Sequence, residues 1–220
     1  PGFIVNHVAR PYYLEAFRVL EDGVADVATI DSVMRTAGRF RMGPFELTDL
    51  IGQDVNTATT RSVWERLDRP ALLAPSELQE SLVAAGDLGR KTGRGAYDHG
   101  ADPALPVLTV KKAPLPDDEG FTAAAIAFEA AAADAAGGES TTDPRAAAAF
   151  GRILLALITQ ARRAADLGIG SPADIDTALR HGVNYPLGPL AWAESIGRER
   201  EDAWRAALVA RPGGERFAAD

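Results

Sequence analysis

Tyr13, Phe17, Leu20 and Val24 recur at intervals of three and four, which predicts an amphipathic helix over about Phe3 to Leu20. Gly23 ends it. Pro11 falls inside this helix, leaves the His7 carbonyl without its amide partner, and should bend the chain one turn from Asn6. Asp26 is a candidate N-cap for a second helix carrying Ile30, Val33 and Met34. Met42-Gly43-Pro44 opens a third, with proline at its first position, and Gly52 closes it. Asp54 to Leu67 and Ser76 to Ala85 give two more helical patterns, the latter ended by Gly86. Almost nothing reads as a strand, so the chain is expected to be all-α.

The stretch Pro1 to Asp54 recurs, more loosely, from Gly151 to Glu199. Asp31 matches Asp176, Gly43-Pro44 matches Gly188-Pro189, and Gly52 matches Gly197, each pair 145 residues apart. A constant offset without insertion marks a duplicated structural unit. Ser171-Pro172, with Asp174 at the third helical position, is a strong start signal in copy two. Gly151 and Ala156 stand where copy one has Asn6 and Pro11. One copy therefore reads as able to work and the other as able only to support it. The expected organisation is a first helical domain over 1–99, a linker over 100–144 and a second, degenerate copy over 145–220, the two copies packed as a pseudo-two-fold pair. Within the linker, 100–120 is Pro-rich and charged. Phe121 to Ala136 is mostly alanine, so few of its side chains can anchor a core, and it is expected to dock loosely.

Composition narrows the function. A net charge of −8 and a pI near 5.0 argue against nucleic acid, whose phosphates need clustered Lys and Arg. The 220 residues hold no cysteine, which excludes disulfides and thiolate metal sites and fits a reducing cytoplasm. The histidines His7, His99 and His181 are scattered, so no metal site is expected. No apolar run approaches the roughly 20 residues of a membrane span. Translation cannot start at Pro1, and Pro-Gly-Phe-Ile-Val-Asn reads as the interior of a longer chain.

Asn6 begins an amphipathic helix among bulky apolar residues, where a carboxamide can fix a ligand's orientation. A helix-terminal or solvated asparagine is the plainer reading of the spacing, but the loss of Asn6 in copy two favours function. Gly89-Arg-Lys-Thr-Gly-Arg-Gly95 surrounds Lys91 with glycines, yet lacks the GxxxxGK[ST] spacing and a preceding strand. A lysine near a bound anion and a solvated turn both remain open. Gly43-Pro44-Phe45 reads as a helix start and packing turn, His7 and His181 as packing or surface histidines, and Glu46, Asp49 and Glu194 as solvated. No Ser/His/Asp set or paired carboxylates can be named.

Pro1-Gly-Phe-Ile-Val-Asn6, Glu15-Ala16, Ile30-Asp31, Met42-Gly-Pro-Phe-Glu-Leu-Thr-Asp49 and Gly89-Arg-Lys-Thr-Gly-Arg-Gly-Ala-Tyr97 form an ordered set. It resembles the C-terminal helical domain of 3-hydroxyacyl-CoA dehydrogenases, a fold like the C-terminal domain of 6-phosphogluconate dehydrogenase. The second half resembles the same domain over Phe150 to about Glu199, a tandem arrangement like that of the 3-hydroxybutyryl-CoA type. The resemblance implies an upstream Rossmann domain that binds NAD and supplies the catalytic base, an acyl-CoA substrate, and a homo-oligomer as a possibility. It implies that Asn6 is the active-site asparagine that orients substrate and that Lys91 reaches the bound NAD. His7 stands where the family usually has arginine, and Ala96 where phenylalanine is commoner, which touches packing and substrate preference. By this reading the segment alone is inactive. The competing reading is a non-catalytic helical oligomerisation module, which needs neither Asn6 nor Lys91. An independent acyl-CoA-binding protein is the weaker third.

Overall fold

The computed structural model describes residues 3–116 and 119–218. Its helices are α1 (Phe3–Val8), α2 (Arg10–Glu21), α3 (Val27–Thr36), α4 (Pro44–Ile51), α5 (Gln53–Arg66) and α6 (Glu77–Ala85), followed by α7 (Glu119–Ala136), α8 (Pro144–Asp166), α9 (Pro172–Gly182), α10 (Pro189–Ile196) and α11 (Arg198–Val209). Among the described residues the only strands are β1 (Tyr97–Asp98) and β2 (Leu105–Pro106), which pair antiparallel. The protein is all-α. No helix among the described residues is long and apolar enough to cross a membrane.

The 145-residue offset holds element by element. It relates the start of α3 to that of α9, the whole of α4 to α10, and the start of α5 to that of α11. The repeated Asp and Gly-Pro positions have one physical cause. The Asp31 carboxylate accepts the Phe45 and Glu46 amides at 2.9 and 3.0 Å, and Asp176 accepts those of Leu190 and Ala191 at 2.9 and 2.8 Å. An acidic side chain from one helix thus caps the unpaired amides that open the next helix, where negative charge is favoured. A Cβ at Gly43 or Gly188 would collide with that carboxylate, which explains the glycines.

Pro11 does more than bend the first helix. The chain breaks at Ala9, and α2 restarts with Pro11 in its first turn, where a missing amide costs nothing. Copy two has Ala156 there, and α8 runs unbroken for 23 residues.

Helix α2 packs along α8 at the centre of the molecule, α1 lies on α9, and α3 lies on α8. The last two contacts exchange under a two-fold, because the first half of α8 is the counterpart of α1. The copies form a pseudo-two-fold pair. Helix α10 reaches the other copy through Trp192, which stacks on Phe40 at 5.5 Å, whereas α4 packs within its own copy against α2, α3 and α5. Both central helices are covered on all sides over most of their length, up to their C-terminal turns. Tyr12, Leu14, Ala16, Phe17, Val19 and Leu20 are buried, as is every residue from Ala146 to Ala161. The one-sided burial expected of an amphipathic surface helix is replaced by burial between copies.

The expectation for the alanine-rich segment is overturned. Phe121, Ala125, Phe128, Ala132 and Ala133 of α7 are buried, and the helix packs on α8, α10 and α11. The Trp192 indole donates to the Ala132 carbonyl at 3.0 Å. Alanine contributes little area of its own but lets backbones approach closely, and close packing supplies the attraction. Helix α7 belongs to the core of the second unit.

Candidate functional site

Asn6 lies on α1, half-buried, less than a turn before the break at Ala9. Its Oδ1 accepts from Arg10 Nη2 at 3.5 Å, the outer limit of a hydrogen bond. Among the described residues nothing bonds its Nδ2, so two donors are left for a ligand. The matching position in copy two is closed. A Cβ on Gly151 would come within 2.8 Å of Trp204 Nε1 and 3.4 Å of Phe128 Cδ1, so α11 and α7 fill the space a side chain would need. The sequence difference therefore marks an open position in one copy and a sealed one in the other.

His7 is buried, as expected of a packing histidine, and among the described residues neither ring nitrogen has a hydrogen-bond partner. Burial lowers its pKa and favours the neutral ring. Arg10, which the sequence reading passed over, is 5% exposed, and its guanidinium carbon sits 4.8 Å over the Tyr13 ring. Its counterpart in copy two is Leu155, fully buried, so packing at this position is satisfied by an apolar side chain. A charged residue at an apolar position of the repeat was the signal that could have found it.

Lys91 sits in the single 3-10 turn Arg90–Thr92, exposed, with Nζ 2.5 Å from Asp54 Oδ1 in the first turn of α5. This bond is the main reason the Asp54 pKa is lowered. The glycines around Lys91 serve contact with α4 as well as turning. Gly89 and Gly95 lie so close to Asp49 that neither has room for a Cβ.

Asp49 corrects the expectation of a solvated acid: it is 1% exposed. Its carboxylate accepts the Ala96 and Tyr97 amides, both at 2.9 Å, and the Gln53 side-chain amide at 2.7 Å. His99 Nε2 lies 2.8 Å from it. Glu46 is likewise engaged, with the Gly43 amide and the Arg35 guanidinium. The Tyr97 hydroxyl then donates to Asp31 at 2.7 Å. Burial pushes Asp31 up to about 7, against the Phe45 amide and the Tyr97 hydroxyl, which favour its charged form. The Met42–Asp49 and Gly89–Tyr97 motifs, far apart in sequence, are one unit in space: two buried carboxylates of α3 and α4 hold the Lys91 loop. Asn6 and Lys91 do not touch. They flank a common element, since α1 packs on α5 and Lys91 bonds its first turn.

The seam between the copies has its own polar anchor. Glu15 has no exposed surface and accepts from Arg152 at 2.8 Å and from Arg216 at 2.7 Å, both from copy two. Arg152 also pairs with Asp22 at 2.8 Å.

Residues 2–99 and 149–220 match the family described as 3-hydroxyacyl-CoA dehydrogenase, C-terminal domain. The 3-hydroxyadipyl-CoA dehydrogenase of Escherichia coli (strain K12) is 37% identical over 254 aligned residues, covering 91% of this chain and 54% of that protein. The mitochondrial hydroxyacyl-coenzyme A dehydrogenase of Homo sapiens is 41% identical over 103 residues, covering 45% of this chain and 32% of that protein. The crystal structure of 3-hydroxybutyryl-CoA dehydrogenase from Escherichia coli K12 superposes with a TM-score of 0.75 at 32% identity, covering 99% of this chain and 58% of that one. The chain spans about half the length of these Escherichia coli relatives. On the match of both copies and of nearly the whole fold, the chain belongs to the 3-hydroxyacyl-CoA dehydrogenase family, as its tandem C-terminal helical domains.

Proposed function

We propose that this chain forms the substrate-side and pairing part of an NAD-dependent dehydrogenase that oxidises the 3-hydroxyl of an acyl-CoA to the 3-oxoacyl-CoA, in fatty-acid or phenylacetate-type catabolism. Residues 1–99 are the working unit and 145–220 the supporting one. The observation that carries this reading is the contrast at one helical position: among the described residues the Asn6 carboxamide nitrogen is unpaired at a half-buried site, while α7 and α11 seal the Gly151 position. A purely structural pair would have no reason to keep one position open.

Asn6 Nδ2 is placed to donate to a substrate oxygen and fix the reacting end of the acyl chain within hydrogen-bond reach of the catalytic groups. NAD, when bound, accepts the hydride, and an upstream Rossmann domain would hold most of it. Lys91 would meet its phosphates. The residues present fit that role, because Lys91 is exposed, Arg90 adds positive charge to the same loop, and the Asp54 pair is a surface contact that a phosphate can displace. The catalytic base belongs to the upstream domain in this reading.

The test is NADH formation from 3-hydroxybutyryl-CoA by the full-length protein. Asn6→Ala should lower kcat/KM by about 10²–10³, the scale of one positioned donor removed. A change below about threefold would return Asn6 to a structural role, and a wild-type protein that forms no NADH from any 3-hydroxyacyl-CoA would sink the reading.

A further inference from the structure

A cleft of about 490 Å³ lies on the seam, bordered by His7 and Ala71 of copy one and by Gln160 and Leu167 of copy two. Two buried polar side chains reach it. Gln160 is 2% exposed and His7 is 1% exposed, and among the described residues the Gln160 Oε1 and both ring nitrogens of His7 have no hydrogen-bond partner. Buried polar atoms of this kind cost free energy until something bonds them.

The pseudo-two-fold shows where the cleft comes from. Its image across the seam is the ion cluster around Glu15. Gln160 stands in place of Glu15, His7 of Arg152, Leu167 of Asp22 and Ala71 of Arg216, each pair 145 residues apart. In the charged half, Arg216 reaches in from the 3-10 turn Gly214–Phe217 and donates to Glu15 through Nη2 at 2.7 Å and Nε at 3.1 Å. In the other half the matching turn, Ala71–Leu73, carries an exposed alanine at that position. The room that an arginine side chain takes on one side is therefore open on the other. The acceptor at its far end is kept, as the Gln160 Oε1.

The charge around the cleft suits a cation. Asp166 and Glu215 border it, both exposed, and neither forms an ion pair among the described residues. Two arginines border it as well, but Arg216 is engaged by Glu15 and the Gly213 carbonyl, and Arg163 has a partner of its own. Burial keeps the His7 ring neutral, so one of its nitrogens remains an acceptor.

We propose that the cleft binds a small alkylguanidinium compound. Its planar head donates to Gln160 Oε1 and to the neutral His7 ring, and its stem lies against Leu72 and Leu167, in the way Arg216 is placed across the seam. The volume is in the range of small-molecule sites. Asn6 and Lys91 take no part, so the site stands apart from the dehydrogenase reading.

The test compares propylguanidine with propylurea, alike in shape and different in charge, by ligand-observed nuclear magnetic resonance titration of the full-length protein. The wild type should bind propylguanidine with a Kd of about 1 mM or tighter, and propylurea at least about tenfold more weakly. Ala71→Arg, at an exposed position, should fill the cleft with the side chain the other half uses and abolish binding. Gln160→Met, which removes the acceptor and keeps the volume, should weaken propylguanidine about tenfold. No saturable binding in the wild type, equal binding of the urea, or binding that persists in Ala71→Arg would overturn the proposal.

Discussion

Glu15 shows how much a single residue depends on the copy across the seam. Burial alone would raise its pKa, but Arg152, Arg216 and Arg18 outweigh burial and lower it to about 2. The folded value lies below the unfolded one, so the stabilisation is complete above about pH 4.5 and is lost as pH falls towards 2, with about 3 kcal/mol at stake. Glu15→Gln should therefore lower stability at neutral pH by about that amount and flatten the acid limb of a stability–pH profile. An unchanged acid limb would contradict the ion cluster. Under the pseudo-two-fold, Glu15 and Arg152 map onto Gln160 and His7, and both of those carry buried polar atoms without partners among the described residues. Glu15 was visible in the sequence as part of a motif, but its partners lie 137 and 201 residues away and could not be. Asp49 was misread for a related reason: nothing in helical periodicity shows that a loop more than 40 residues on will wrap around one carboxylate. Asn6 stood out in the sequence because the duplicate lacks it.

At the scale of elements, local signals were reliable where the chain's own chemistry decides. Asp26 caps α3 through the Thr29 amide, Ser171 and Asp174 form a capping box, and Gly86 ends α6 in a left-handed conformation. They failed where packing decides, as with α7, whose alanines gave no hint that Gly151 and Trp204 leave room for a close neighbour. The Lys91 loop combines both. Lys91→Ala should raise the KM for NAD in the full-length protein and leave the melting temperature nearly unchanged, since an exposed pair adds about 0–1 kcal/mol. Asp49→Ala should raise the same KM by releasing the loop, and in addition destabilise the fold by roughly 2–3 kcal/mol, because buried amides lose their acceptor. Steady-state kinetics with thermal melts of both variants separate the roles. An unchanged KM for NAD in Lys91→Ala, or a loss of stability as large as that of Asp49→Ala, would contradict the assignment.

At the scale of the molecule, the two copies pack on one another within a single chain. An isologous contact needs the same patch from both sides, and tandem copies supply both, with a tether that keeps their effective concentration high. The constant offset made the pair legible in advance. The asymmetry within it was only half legible: the sequence shows which residues copy two has lost, and the structure shows that α7 and α11 have closed over their place. That asymmetry is the central claim, and the number of acyl-CoA sites tests it most directly. Calorimetric titration of the full-length protein with acetoacetyl-CoA should give one site per chain, abolished or strongly weakened by Asn6→Ala. Two sites of equal affinity per chain would mean that both copies work, and would contradict the account.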